Sequence, residues 1–241
     1  MDALLLNLSQ TLPTSSIEGG SGSFRAQQYL YAALAGLKEV RVGECMSCCG
    51  WTLAVKYPRS VPLDRAPVPA WSQVRTICEI GFNGGHSALL WLAYSNAQVL
   101  MFDLGAHEGV SIGHRWLHSV PSLRAAERLQ LILGDSNETV PAFARRHPDY
   151  TCDLISIDGG HSRRQAEGDL RHMAMLASPR CQHIALLDDC PVLPLPARKY
   201  TVNVAAAYRA SLGEGRVCTY AGVSELVDGN YPRGVTVFRY L

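Results

Sequence analysis

Residues 76–87, Thr-Ile-Cys-Glu-Ile-Gly-Phe-Asn-Gly-Gly-His-Ser, constrain the fold of this chain more than any other stretch. The apolar run at 77–80 suits a buried strand. Glycines at 81, 84 and 85 break it, and a helix-compatible apolar segment follows at 88–93. Strand, glycine turn and helix in that order let a backbone approach a ligand closely, and the N–H groups of the helix start can hold a carboxylate or phosphate. Glu79 falls at the carboxyl end of the strand, where open α/β sheets bind their ligands. The dinucleotide fingerprint G-x-G-x-x-G is not met, because Asn83 and His86 stand where its second and third glycines belong.

Beyond this stretch, strand-like and helix-like segments alternate. Strands are expected at about 98–102 ending at Asp103, 129–133 ending at Gly134-Asp135-Ser136, 152–157 ending at Asp158-Gly159-Gly160-His161, and 182–187 ending at Asp188-Asp189. Two more are expected at about 216–221 and 234–240, with helices at 162–177 and 198–211 among others. The alternation predicts a Rossmann-like, doubly wound α/β fold with a mainly parallel sheet of seven strands. Residues 1–23 end in a flexible Glu-Gly-Gly-Ser-Gly-Ser segment, residues 24–40 carry apolar positions at helical spacing, and Pro58, Pro62, Pro67 and Pro69 mark an extended connector. Nothing there resembles a separate globular unit. The expectation is one domain over 1–241, with 1–70 as a helical cover and connector and 71–241 as the core.

The length is enough to bury a full α/β core. With 22 basic and 21 acidic residues, the charge balance argues against nucleic acid or an acidic membrane surface as the main partner. No apolar run is long enough to span a bilayer. Leu4-Leu5-Leu6 follows Asp2 without a basic leader, so a signal peptide is not expected. Of the eight cysteines, Cys78, Cys152 and Cys181 fall in expected strands and read as reduced, buried thiols of a cytoplasmic protein. Cys45, Cys48 and Cys49 cluster, but no second C-x-x-C follows, so ordinary thiols are favoured over a zinc site.

Five expected strands end in acidic tips: Glu79, Asp103, Asp135, Asp158 and Asp188-Asp189. In a parallel sheet these tips share one edge. Like charges repel there unless a cation or a donor-rich ligand neutralises them. Each alone could be a helix N-cap, a reading that suits Asp135 best. Asp103 lies 22 residues after Gly81, at the distance of an acid that accepts bonds from ribose hydroxyls.

The pattern Glu-x-Gly-x-x-x-Gly-x-Ser, met by Glu79, Gly81, Gly85 and Ser87, resembles the first motif of class I S-adenosylmethionine (SAM) methyltransferases. It is most similar to the variant in metal-dependent O-methyltransferases of the catechol type. The resemblance implies a cofactor site on the turn at Glu79, Gly81, Phe82, Asn83, Gly85 and Ser87, with Ser87 holding the methionine carboxylate. It adds Asp103 and Leu104 for the ribose side, Asp135 and Ser136 for adenine, and Asp158. It also implies Asp158, Asp188 and Asp189 as ligands of Mg²⁺ or another divalent cation, which prefers carboxylate and water oxygens. An aspartate at 189, where catechol-type enzymes have asparagine, resembles the sugar O-methyltransferases of macrolide biosynthesis. His161 stands at the offset of the catechol-type lysine base. A histidine suits proton removal near neutral pH, beside the plainer role of capping the next helix.

The implied activity is methyl transfer from SAM to a hydroxyl oxygen of a small molecule, assisted by a divalent metal, with Asp158 and His161 as catalytic residues. The expected partners are a small-molecule acceptor and a second copy in a homodimer, with no nucleic acid and no membrane. An NAD-dependent oxidoreductase, a metal-independent methyltransferase and a silent binding protein are the alternatives.

Overall fold

The computed structural model describes residues 2–12, 74–178, 183–190, 199–227 and 231–241. The expected helix at 24–40, the proline connector, Cys181, the Cys45, Cys48 and Cys49 cluster and residues 191–198 lie outside them.

Strands β1 (Thr76–Ile80), β2 (Gln98–Asp103), β3 (Leu129–Leu133), β4 (Leu154–Ile157), β5 (Ile184–Leu187), β6 (Val217–Val227) and β7 (Tyr231–Tyr240) form one mixed sheet in the order β3-β2-β1-β4-β5-β7-β6. The pairs from β3 to β5 are parallel, and β7 joins β5 and β6 antiparallel. The last two strands make a hairpin longer than the sequence suggests, reaching Val227 and beginning again at Tyr231.

Strand residues alternate between two cores, as a period of two requires. Ile77, Val99, Met101, Leu154 and Leu186 face helices α1 (Asp2–Thr11), α2 (His86–Tyr94), α3 (Glu108–Ser119) and the short α4 (Ala125–Arg128). Cys78, Ile80, Leu100, Phe102, Ile155 and Leu187 face α5 (Ser136–Arg146), α6 (Arg163–Met173) and α7 (Lys199–Gly213). The sheet is therefore covered on both sides, which explains why its central strands are continuously apolar.

Helix α1 lies within the expected helical cover 1–70, in a stretch where the sequence marks no individual helix. Leu4, Leu8 and Leu12 recur every four residues on one face, and Leu8 and Leu12 are buried in the first core. Leu12 packs against Gly84 of the glycine turn, where an added Cβ would lie 2.5 Å from its Cδ1. On the other side Gly113 of α3 lets its own helix approach the Gly84 carbonyl, because a Cβ there would overlap that oxygen. The turn is thus held between α1 and α3.

Cys78 and Cys152 are joined by a disulfide with Cα atoms 5.8 Å apart, both fully buried. This corrects the expectation of reduced thiols at these two positions. Cys78 lies in β1 and Cys152 just before the neighbouring β4, so parallel pairing brings the side chains together. Cys190 is a buried free thiol.

Gly81 has φ +100, and a Cβ there would overlap the carbonyl oxygen of Asp158. Gly81→Ala should destabilise the fold by about 3 kcal/mol or more, combining left-handed strain with overpacking against backbone. Gly213→Ala, at the end of α7 with open space around it, should change stability by less than about 1 kcal/mol. Urea unfolding of both variants checks the contrast.

Candidate active site at the carboxyl ends of the strands

The parallel order β3-β2-β1-β4-β5 reverses direction of winding between β1 and β4, and crevices for ligands open at such points. The glycine turn leaves β1 there. Its shape is set by Asp103 at the end of β2. One carboxylate oxygen of Asp103 accepts the backbone N–H of Phe82 at 2.8 Å and of Asn83 at 2.9 Å, and the other accepts that of Gly105 at 2.7 Å. Asp103 therefore organises the turn itself, a role the sequence reading did not give it. Phe82 points inward: it is 2% exposed and packs beneath Gly85. Only its backbone lies on the turn. Asn83 adopts φ +45, and its Oδ1 is buried with no partner among the described residues.

Glu79 shares the face of Ile77 and points into the first core. It is 2% exposed. The indole N–H of Trp91 donates to Oε2 at 2.7 Å, and the Ser156 hydroxyl donates to Oε1 at 2.8 Å. The Ser87 hydroxyl also bonds to it. Burial nevertheless dominates and pushes the Glu79 carboxyl up to about 7, with the charge of Asp188 adding to the rise. Trp91 and Ser156 were missed in the sequence. Trp91 sits on a helix that is apolar all round, and nothing in its spacing marks it as a donor.

After β3, Asp135 caps α5 by accepting the Asn137 N–H at 2.9 Å, and that bond holds its carboxyl below the usual range. The helix-cap reading of Asp135 is thus met. Ser136, buried at the start of α5, donates to Asp169 at 2.6 Å and accepts from Gln165 at 2.8 Å. Beside them Leu104 and Leu133, at the ends of β2 and β3, are exposed apolar side chains.

On the other side of the turn, Ser162 caps α6 by accepting the Gln165 N–H at 3.1 Å. The cap that His161 was weighed for belongs to its neighbour. His161 instead places Nε2 3.0 Å from Oδ2 of Asp189. Asp189 is buried, with φ +51, and its Oδ1 has no partner among the described residues. Left-handed backbone at a buried aspartate is strain of the kind that accumulates at functional sites.

The three expected metal ligands do not assemble. The left-handed turn at Asp189 sends its carboxylate to His161, while Asp188 just after β5 acts on Glu79 and Asp158 is exposed after β4. Among the described residues no three His, Cys, Asp or Glu side chains come together as a metal-binding group. Asp158, Asp188 and Asp189 as they stand do not fit Mg²⁺ or another divalent ion, which needs several oxygens around one point. His114 and His118 stack with ring centres 4.3 Å apart on α3, a packing role.

Residues 78–190 match the family described as a methyltransferase domain. The matched segment carries this rim, and over it the chain is similar to a methyltransferase domain. No curated protein matches the chain in sequence. Among solved structures, an O-methyltransferase from Bacillus cereus in complex with SAH is similar with a TM-score of 0.63 and 13% identity, covering 99% of this chain and 91% of that one. The O-methyltransferase TomG from Streptomyces achromogenes, involved in tomaymycin synthesis and in complex with SAM, has a TM-score of 0.54 and 15% identity over 70% of this chain and 74% of that one. An rRNA methylase from Streptococcus thermophilus has a TM-score of 0.52 and 10% identity over 72% and 91%. At such identities the likeness is one of fold. Nothing in these comparisons supports the NAD-dependent alternative. Among the described residues no helix is long and apolar enough to cross a membrane.

Glu79 has a measurable consequence. Its carboxyl is raised from 4.5 to about 7, so between those values the native state holds a proton that the unfolded chain has released. The contribution to stability is fully present below about 4.5 and is lost as pH rises through 7. Glu79→Gln mimics the protonated form. Its stability relative to wild type should improve by about 3 kcal/mol between pH 4.5 and pH 8. Urea unfolding at both pH values checks this, and an unchanged difference would refute the buried-acid account.

Proposed function

We propose that this domain transfers the methyl group of SAM to a hydroxyl oxygen of a small molecule, with His161 as the base. The observation that carries the reading is the His161–Asp189 pair, Nε2 to Oδ2 at 3.0 Å, at the same sheet edge as the glycine turn. The methionine end would lie over Gly81, Asn83, Gly85 and Ser87, where the N–H groups at the start of α2 favour a carboxylate. Glu79 beneath the turn would favour the nearby positive charge of the cofactor, which would also draw its proton off. Ribose would sit by Asp103, whose oxygens keep lone pairs after their backbone bonds. The base would rest on Leu104 and Leu133 beside Asp135 and Ser136, an apolar shelf next to polar ends.

With Nε2–H directed at Asp189, the imidazole carries its lone pair on Nδ1. That nitrogen would take the proton of the acceptor hydroxyl as its oxygen attacks the methyl carbon. The carbon–sulfur bond breaks, its electrons return to sulfur, and neutral S-adenosylhomocysteine leaves. Asp189 orients the ring and stabilises the imidazolium. Asp158, exposed three residues before His161, would accept a bond from the substrate. No metal enters this step, since Asp189 is engaged by His161. A small-molecule acceptor is supported by the near-neutral charge balance.

Calorimetry should show S-adenosylhomocysteine (SAH) binding and no NADH binding. His161→Ala should lower kcat on a hydroxyl-bearing acceptor by about 100-fold or more, while SAH affinity stays within about threefold. EDTA should leave turnover unchanged. Full turnover in His161→Ala would overturn the base, and EDTA-sensitive turnover restored by Mg²⁺ would return Asp189 to a ligand role.

A further inference from the structure

Asp169 is a buried acid that the proposed reaction does not use. It lies on α6 with Ala166, Leu170 and Met173, on the face turned to the second core, and is 1% exposed. An apolar residue would satisfy that face. Instead Oδ1 accepts the Ser136 hydroxyl at 2.6 Å and the Gln165 amide at 3.2 Å, and the same amide donates to Ser136 Oγ at 2.8 Å. Oδ2 is buried with no partner among the described residues, and it faces Gly159, where a Cβ would overlap it. Burial pushes this carboxyl up to about 6. A carboxylate kept in so costly a place acts on what it holds.

What it holds is the only proton of Ser136. A hydroxyl has one donor hydrogen and two lone pairs. With the hydrogen committed to Asp169 and one lone pair to Gln165, Ser136 has only acceptor capacity left for a ligand. The geometry points to Asp169 as a specificity-determining positioning residue: it fixes Ser136 as an acceptor, and so selects a purine whose nearest edge group is an amine over one that presents a carbonyl. This rests on the reading that the nucleoside of SAM lies by Ser136. Close packing supports the fixed arrangement, since Gly168 of α6 gives room to Asn137 at the start of α5, where a side chain would overlap the asparagine amide.

The test compares SAH with S-inosylhomocysteine, in which the purine amine is replaced by a carbonyl, by calorimetry on the full chain. Wild type should prefer SAH by about tenfold or more, roughly one hydrogen bond gained against one acceptor pair opposed. Asp169→Leu frees the Ser136 proton and should shrink the preference to about threefold or less. Asp169→Asn retains an acceptor oxygen and should keep most of it. Thermal melting shows whether each variant is folded. If Asp169→Leu does not fold, Ser136→Ala serves, and it too should lose the preference. A purely structural Asp169 would weaken both ligands equally and leave their ratio intact, which would overturn the inference. Failure of wild type to bind SAH at all would instead sink the SAM reading beneath it.

Discussion

The passage of β1 beside β4 at Gly81 is the constraint on which the rest depends. The two strands run parallel in register, Ile80 against Ile157, and the Asp158 N–H donates to the Ile80 carbonyl at 2.9 Å. One residue later the chains must part, β1 into the glycine turn and β4 into the loop that carries His161. They part at van der Waals contact, with the Asp158 carbonyl where a Gly81 side chain would be. Close approach keeps the turn and the His161 loop on the same rim. A wider separation would put the proposed methyl donor and base out of reach of one another, and positioning is what such a reaction most needs.

Around that crossing Glu79, Asp169 and Asp189 are buried, and the first two are each held by hydrogen-bond donors. Glu79 of β1 takes donors from α2 and β4, and Asp169 of α6 takes donors from α5 and its own helix. Both are pushed toward neutrality by burial. Two apolar side chains would fill the same volumes with less cost. The donors they hold lie under the two ends of the proposed cofactor site, the turn and the start of α5. Stability has been given up at just the points where the orientation of polar groups would matter to a ligand. Asp103 differs: it stays at the surface of the turn and is satisfied by three backbone N–H groups.

Much of this was legible in the sequence because it is written in period and punctuation. Strands β1 to β5 appear at their expected places within a residue or two, since each is an apolar run stopped by glycine or aspartate. The rim of acids followed from parallel pairing alone. Other features depend on rotation about a single bond or on contacts between distant residues. Asp188 and Asp189 are neighbours in the chain, and no spacing rule says that a left-handed backbone will send them different ways. Helix α1 is short and polar enough at its margins for Leu4, Leu8 and Leu12 to pass unnoticed. Asp169 offered one sign, a lone acid in the buried stripe of an amphipathic helix, and that sign needs the fold before it can be weighed.

The choice between a metal and a histidine at this rim comes down to which partner Asp189 meets. A divalent ion would need that carboxylate alongside Asp158 and Asp188, in a shell of oxygens with fixed angles. The left-handed backbone works against such a shell, because Asp189 is buried and held at His161 while Asp158 is exposed. Restoring the shell would require breaking the His161 contact and rotating a side chain that is almost wholly buried. A histidine placed over a buried carboxylate already has the two things a base requires, a fixed tautomer and a counter-charge for the proton it accepts. The strain at Asp189 is then the cost of holding that counter-charge in place, and it belongs to the same arrangement that sets His161 on the rim.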